Sequence, residues 1–460
     1  MHRLLLSLTP GLALSCSEQL DNTAYPPPTL LEVTCRGTDN PLRYRCVVEI
    51  EPAQPVTLSH ARADGLSVVR SQLSDEALTS HDLPVYFLAP ATEYTITAMA
   101  AAWPSEGVSR TFTSGLPPAY VRSTLEATGA SSMGLIGTHL PCNDTAIAVI
   151  YDTHTGDLVW YHELARPGTL GVLDMVQFTE DHTILGESMG DLIEVDLTGA
   201  DLLRLEELDS QLNGPGCCTF HHDVFKRGDV YYLMYQDVHE VDDQVRGVLD
   251  VVVLLDGTGA EIVRWFPEDH LPIPDDWSGD WLHTNTIYVD EAGDIYLSWR
   301  HQDAVSKIVG DPGRPDFGTP IWILQGSDHG DLGSGLTLDW SQVEGSDSFQ
   351  EQHSLTLTPD GRVMLLDNLH GRGLIIDVDE GSSAAVVEGA YRTVEPICGP
   401  QGTARTTSAG NPVVGCSGDW VREYDGVTEE KLWEARVQCL QEPPDRARTG
   451  AVRWYPLDGW

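Results

Sequence analysis

Two histidines, two asparagines and an arginine stand at matching distances from glycines in tight-turn contexts. His353 lies eight residues before Gly361, and Asn285 eight before Gly293. His222 lies six before Gly228, where the intervening Phe225-Lys226-Arg227 reads as a loop shorter by about two. Arg300 and Asn368 each follow a turn glycine by seven residues. His283 is two residues before Asn285, so on a strand the two side chains leave the same face. Neutral imidazole is a competent nucleophile and proton carrier near neutral pH without a metal. A guanidinium fork grips oxyanions at two points. A lone histidine on a strand is usually structural; recurrence at equivalent places argues for a shared site of His222, His283, Asn285, Arg300 and His353, with Asn368 level with Arg300. His221 faces away from its neighbour His222 and is the weaker candidate. Glu351 shares the face of His353 and is placed to orient it.

The elements that position these residues are short strands in repeats. From about residue 118, Gly or Asp-Gly turns recur before or inside alternating strands, with segments starting near Ala146, Thr183, Gly228, Gly293, Gly361 and Asn411. Several segments close on a strand ending in tryptophan: Asp152 to Trp160, Asp256 to Trp265, and Asp425 to Trp433. Irregular copies of this kind predict an all-β chain folded as a β-propeller, six-bladed by count, with seven left open by the spacing. The inner strand of each blade lines an axial channel, so equivalent positions converge there. Residues 29–116 show shorter strands around 30–35, 44–50, 56–58, 93–98 and 109–113. The stretch from Leu88 to Ile96 resembles the tyrosine corner of fibronectin type III domains. A small β-sandwich with a supporting role is expected there, ahead of a propeller over 118–460.

The amino terminus reads as an address. His2 and Arg3 precede an apolar run to Leu14, then Ala13-Leu14-Ser15-Cys16 forms an imperfect lipobox. Residues 1–16 are expected to be an export signal with lipidation at Cys16. Residues 17–28 form a linker ending in Pro26-Pro27-Pro28. Cleaved soluble export is the other reading. The run is too short to span a bilayer, so membrane contact is expected only through the lipid. Nine cysteines include Cys16. Without it eight remain, and Cys35/Cys46 and Cys398/Cys416 suit local disulfides in an oxidising compartment. Cys142, Cys217, Cys218 and Cys439 could form two more in an order the sequence leaves open. No CxxC spacing occurs, so no metal site is expected. Asp plus Glu number 70 against 27 Lys plus Arg, a net charge of −43. Such a surface repels a phosphate backbone and argues against a nucleic-acid partner. An anion site must act locally against that field.

Several strings together resemble the bacterial arylsulfotransferases that do not use 3′-phosphoadenylyl sulfate. They are Phe220-His221-His222-Asp223, Trp281 to Ile287, Ser298 to Val305, Trp322 to Gly326, Phe349 to Ser354 and Leu366-Asp367-Asn368. Arg446-Ala447-Arg448 and Arg453 to Leu457 extend the likeness to the end. The resemblance covers about 120–460. It implies a six-bladed propeller exported to the periplasm or cell surface, taking an aryl sulfate donor and a phenolic acceptor, with no cofactor. It makes His353 a transiently sulfated nucleophile, with His222, His283 and Arg300 holding the sulfuryl oxygens and Asn285 in support. Leu369-His370-Gly371-Arg372 departs from the family's pattern, which bears on the acceptor rim. A non-catalytic binding propeller, or a hydrolase using water at the same site, are the competing readings.

Overall fold

The computed structural model describes residues 25–66, 69–142, 146–164, 175–188, 190–206, 220–241, 244–274, 277–328, 332, 335–345, 347–416, 420–440 and 453–460. The leader with Cys16, linker residues 17–24, Cys217, Cys218, Arg446 and Arg448 lie outside the described residues. The chain is all-β, with only short 3-10 turns among the described residues. No helix there is long and apolar enough to cross a membrane. The described residues fall into two compact units, one within 1–85 and 91–115 and the other within 86–90 and 116–460.

In the first unit the long strand Tyr44–Arg62 pairs antiparallel with Leu30–Gly37, Arg70–Val85 and Glu93–Ala100, and Trp103–Thr113 pairs with the last of these. Cys35 and Cys46 face each other in register and are bonded as a disulfide.

The second unit holds six sheets among the described residues, antiparallel except where Thr337–Asp339 pairs parallel with Ala384–Arg392 and Gly279–Asp280 parallel with Gln244–Leu255. Their opening strands are Leu135–His139, Met175–Phe178, Phe220–Arg227, Thr284–Val289, His353–Leu357 and Thr403–Thr406. Both chain ends of the unit are woven in. The late strand Tyr455–Pro456 pairs with Leu135–His139 in the first sheet, and the early strand Ser123–Gly129 completes the sixth. The disulfides Cys142–Cys439 and Cys398–Cys416 add covalent ties, the first across 297 residues.

The continuous apolar runs follow from burial on both faces. Along Val363–Asp367, Met364 and Leu366 enter the core shared with the sixth sheet, while Val363 and Leu365 enter the core shared with the fourth. Along Val230–Val241 the same alternation divides Tyr231, Leu233 and Tyr235 from Tyr232 and Met234. Each seam between successive sheets is therefore its own core. Burying a large apolar side chain there contributes roughly 1.5–3 kcal/mol. The repeated closing tryptophans stitch the seams: Trp160 Nε1 donates to the Leu197 carbonyl at 2.8 Å, and Trp265 Nε1 to the Gly318 carbonyl at 3.0 Å. The preceding aspartates make side-chain turns, as where Asp256 Oδ1 accepts from the Thr258 and Ala260 N–H groups at 2.8 and 3.0 Å. Gly259 takes φ +84° at that turn, a conformation L side chains rarely adopt.

The opening strands are linked in series. Each link is a hydrogen bond between neighbours: Lys226 N–H to Gln177 at 2.8 Å, Ile287 N–H to Asp223 at 3.2 Å, Ser354 N–H to Thr286 at 2.8 Å, and Ala404 N–H to Ser354 at 3.0 Å. The series closes on itself. Trp454 N–H donates to Thr403 at 2.7 Å, and the Tyr455 hydroxyl to the Val176 carbonyl at 2.5 Å.

Candidate functional site

Three of the opening strands are interrupted where the predicted residues stand. Pairing shifts between Phe220 and Val224, between Thr284 and Thr286, and between His353 and Thr356. Such bulges bend a strand and re-aim its side chains. The backbone there is unusual for residues with a Cβ: His222, His283, Glu351 and Ser354 have φ of +62°, +50°, +53° and +55°. Strain of this kind persists only where the surroundings impose it.

The bulges bring three imidazoles together. His222 Nε2 lies 2.9 Å from His283 Nε2, and the His222 and His353 ring centroids are 6.3 Å apart. The hairpin turn after Phe220–Arg227 has two residues, 228–229, against five in the fourth and fifth sheets. The shortening is therefore three residues rather than the expected two. Counted back from the turn, Asp223 stands where Asn285 and His353 do and His222 one residue before it; across the strands the bulges break that match, His353 pairing with Leu366 while Asp223 and Asn285 lie unpaired.

His353 has a defined tautomer. Asn368 donates through Nδ2 to the Gly399 and Gln401 carbonyls at 2.6 and 2.8 Å, so its Oδ1 faces the ring as an acceptor. His353 Nδ1–H donates to that Oδ1 at 3.1 Å and to the Glu351 carbonyl at 2.9 Å. Nε2 keeps its lone pair. It is buried, without a hydrogen-bond partner among the described residues, on a residue only 1% exposed.

Arg300 follows the second strand of the fourth sheet, and its N–H donates to the His283 carbonyl at 3.1 Å. One guanidinium nitrogen binds Glu351 at 2.7 Å, while its Nε is buried without a partner. Asn285 Nδ2 donates to the Gln352 carbonyl at 2.6 Å, which ties the fourth sheet to the residue before His353. His221 stands beside the cluster, its Nε2 2.9 Å from Asp250. His370 and Arg372, in the departing stretch, both bind Asp367, at 2.9 and 2.8 Å.

Two groups at the site escaped the sequence reading. Asp280 Oδ2 lies 2.5 Å from His283 Nδ1, and its Oδ1 accepts the His283 N–H at 3.0 Å. The only signal was an acid three residues before a histidine. Arg453 is buried, pairs with Asp223 and donates to the His222 and Asn285 carbonyls at 2.6 and 3.2 Å. Its signal was an arginine in the closing motif. Asp280, His283 and His301 could offer an ion three donor atoms within 4.8 Å of one another. The Nδ1 atoms of both histidines already serve Asp280, the second by a 2.6 Å bond to its carbonyl.

Burial sets the electrostatics. It drives the His353 imidazole down to about 3, aided by the cations Arg453 and Arg300 and opposed by the bonds to Asn368 and Glu351. His222 is also driven down, by burial first and by His221 and His283 next. His139 falls to about 4 through burial and Arg453. These rings are neutral in the folded chain, whereas unfolded histidine titrates near ~6.5. Below that pH the unfolded state binds protons that the folded state refuses, so stability is lost as pH falls. Burial pushes the Asp223 carboxyl up, which works the other way as one group against three. Carboxylates with ordinary values titrate lower, near ~4. The midpoint of urea unfolding is therefore expected to drop steadily from pH 6.5 to 4.5, and a flat profile across that window would contradict the neutral cluster.

An all-β chain of serially linked sheets, with a histidine centre at the bulges of three opening strands, defines the class. The sequence matches the family described as Arylsulfotransferase (ASST) over residues 119–387, a span that contains His222, His283, Asn285, Arg300, His353 and Asn368. That span is more than half of the chain, and the chain belongs to the arylsulfotransferase family. No curated protein matches it in sequence. Similar solved structures include a protein of unknown function from Bacteroides caccae, at 10% identity and TM-score 0.43 over 71% of this chain and 99% of that one. A virginiamycin B lyase from Staphylococcus aureus is similar at 7% identity and TM-score 0.33, over 73% and 89% of the two chains. BamB from Moraxella catarrhalis is similar at 14% identity and TM-score 0.31, over 67% and 78%.

Proposed function

We propose that this chain moves a sulfuryl group from an aryl sulfate to a phenol through a sulfated His353, without a nucleotide donor. The carrying observation is the bare, buried Nε2 of His353 beside a fixed Nδ1–H. In the first half-reaction Nε2 attacks sulfur, the N–S bond forms, and the S–O bond to the aryl group breaks. The ring then carries positive charge, which Glu351's carbonyl and Asn368 Oδ1 stabilise at Nδ1–H. In the second half a phenol oxygen attacks sulfur and His353 is released. Two half-reactions on one group give ping-pong kinetics. Sulfuryl transfer, like phosphoryl transfer, spreads charge over equatorial oxygens and needs positioned donors more than covalent machinery. Arg300, held by Glu351, supplies such donors, with Asn285 supporting the strand beside them.

On this reading the six sheets are blades of a propeller, the ring of links sets its centre, and residues 29–116 form a fibronectin III-like support. Export, with Cys16 as a lipid anchor, completes the proposal. The disulfides suit an oxidising compartment.

The test is release of 4-nitrophenol from 4-nitrophenyl sulfate by the purified protein, with and without added phenol, followed by mass spectrometry of the protein. Phenol-stimulated release with an adduct on His353 supports the transferase. Release independent of phenol favours a hydrolase, and no release with no adduct favours a binding protein. Arg300→Lys is expected to lower kcat/KM about 10–100-fold, because a point charge cannot replace the guanidinium fork. Unchanged kinetics would remove Arg300 from the site.

A further inference from the structure

Asp280, His283 and His222 form one hydrogen-bonded line, with steps of 2.5 and 2.9 Å. The proton count along it is constrained. His283 Nδ1 faces a carboxylate, so it carries hydrogen. The Nε2–Nε2 contact needs one hydrogen between the two rings. Either neutral His283 accepts from His222, leaving His222 Nδ1 bare, or cationic His283 donates, and His222 Nδ1 carries the hydrogen. Moving one proton onto or off His222 Nδ1 converts one state into the other. That Nδ1 is buried without a partner among the described residues, in a ring whose centroid is 6.3 Å from His353's. A proton entering there finds no counter-charge on His222; one step further it reaches His283, backed by Asp280.

We propose that Asp280 is a positioning residue that acts through His283, fixing its tautomer and making it the store for the phenol's proton, while His222 Nδ1 exchanges that proton with the substrate oxygen. The inference rests on the sulfuryl-transfer reading of the same site. In the donor half-reaction the S–O bond breaks and the aryl oxygen keeps the electron pair. It takes hydrogen from His222 Nδ1 as His222 Nε2 takes one from His283, which becomes neutral. In the acceptor half the movements reverse: the phenol's hydrogen goes to His222 Nδ1, and His283 becomes cationic beside Asp280. Protons balance over the cycle.

The site of Asp280 is built to hold it. Gly279–Asp280 pairs with the third sheet, Gly247 opposite Gly279, at an approach that a Cβ on Gly247 would block against the Gly279 carbonyl. Gln236 donates to Asp280 Oδ2 at 3.2 Å. The hydrogen bond from His283, with the charges of His283, His301 and His221, holds the carboxyl below its usual range despite burial. The groups facing His283 are Asp280 at Nδ1, His222 at Nε2, His301 and His221 with ring centroids at 4.5 and 6.5 Å, and Arg300 at its carbonyl.

The test compares two donors in the full-length protein. 4-Nitrophenolate leaves unaided, whereas phenolate, whose conjugate acid has a pKa of about 10 like tyrosine's, needs a proton. Asp280→Asn is expected to slow His353 adduct formation from phenyl sulfate about 100-fold and from 4-nitrophenyl sulfate less than about 10-fold. Asp280→Glu should restore part of the phenyl sulfate rate. The unmodified protein gives a second measurement that no folding defect can blur. Its adduct formation from phenyl sulfate should fall with rising pH as the proton held along the hydrogen-bonded line is lost, while that from 4-nitrophenyl sulfate stays level. Equal losses with both donors in Asp280→Asn, or parallel pH profiles in the unmodified protein, would overturn the relay while leaving the transferase standing. Failure of the unmodified protein to form any adduct would sink the transferase reading itself.

Discussion

In the His353→Ala variant, phenol-stimulated release of 4-nitrophenol is expected to fall about 1,000-fold or more, and the sulfated protein to vanish from the mass spectrum. The loss is large because no other ring of the cluster offers a bare Nε2. His222 Nε2 and both nitrogens of His283 are engaged in the Asp280 line, and His221 lies against Asp250. The substitution should leave the fold in place: it removes a buried ring but no hydrogen bond between sheets, since Asn368 keeps its bonds to Gly399 and Gln401. The vacated space gives a second readout. Imidazole added to the variant should restore part of the turnover without restoring the adduct, because the free base then carries the sulfuryl group. Full activity in the variant, or an adduct on His222 or His283, would show that His353 is not the nucleophile.

Much of the fold was legible because its repeats rest on local chemistry. The aspartate-led turns need Asp and Gly at fixed offsets, and the closing tryptophans need a partner carbonyl in the next sheet, so both leave marks in the sequence. The two local disulfides were legible for the same reason. Cys142–Cys439 was not, since 297 residues separate its ends and only the woven sheets bring them together.

The site was legible where it depended on strand position and opaque where it depended on bulges. Equal offsets from Gly293 and Gly361 put Asn285 and His353 at the same count from their turns, but the bulges part them across the strands, where His353 pairs with Leu366 and Asn285 lies between the paired Thr284 and Thr286. The offset from Gly228 misled by one residue, because a two-residue turn replaces a five-residue one, and a bulge has no signature in residue type. Asp280 was missed because it belongs to a two-residue strand on the third sheet, outside the repeat that carries His283. Glu351 was expected to orient His353 with its side chain. It does so with its carbonyl, and its carboxylate holds Arg300 instead.

The least legible group is Arg453, which meets its partners across 168 to 231 residues. Arg453→Met is expected to destabilise the larger unit by about 3–5 kcal/mol, because it strands the Asp223 carboxylate in the interior. Arg453 is 3% exposed and Asp223 4%, so water cannot take over. Two further acceptors, the carbonyls of His222 and Asn285, would lose their donor at the same time. Removing both charges, Arg453→Met with Asp223→Leu, should recover part of that stability, since a hydrophobic pair of similar volume avoids the unpaired charge. It should not recover activity, because the bulge at His222 would remain untied. The same cation also helps keep His353 and His139 neutral. Its loss should therefore move the acid limit of adduct formation to higher pH. Thermal unfolding and single-turnover pH profiles of the single and double variants separate these effects. A single variant as stable as the unmodified chain would mean that the buried pair does not anchor the carboxyl-terminal strand to the site.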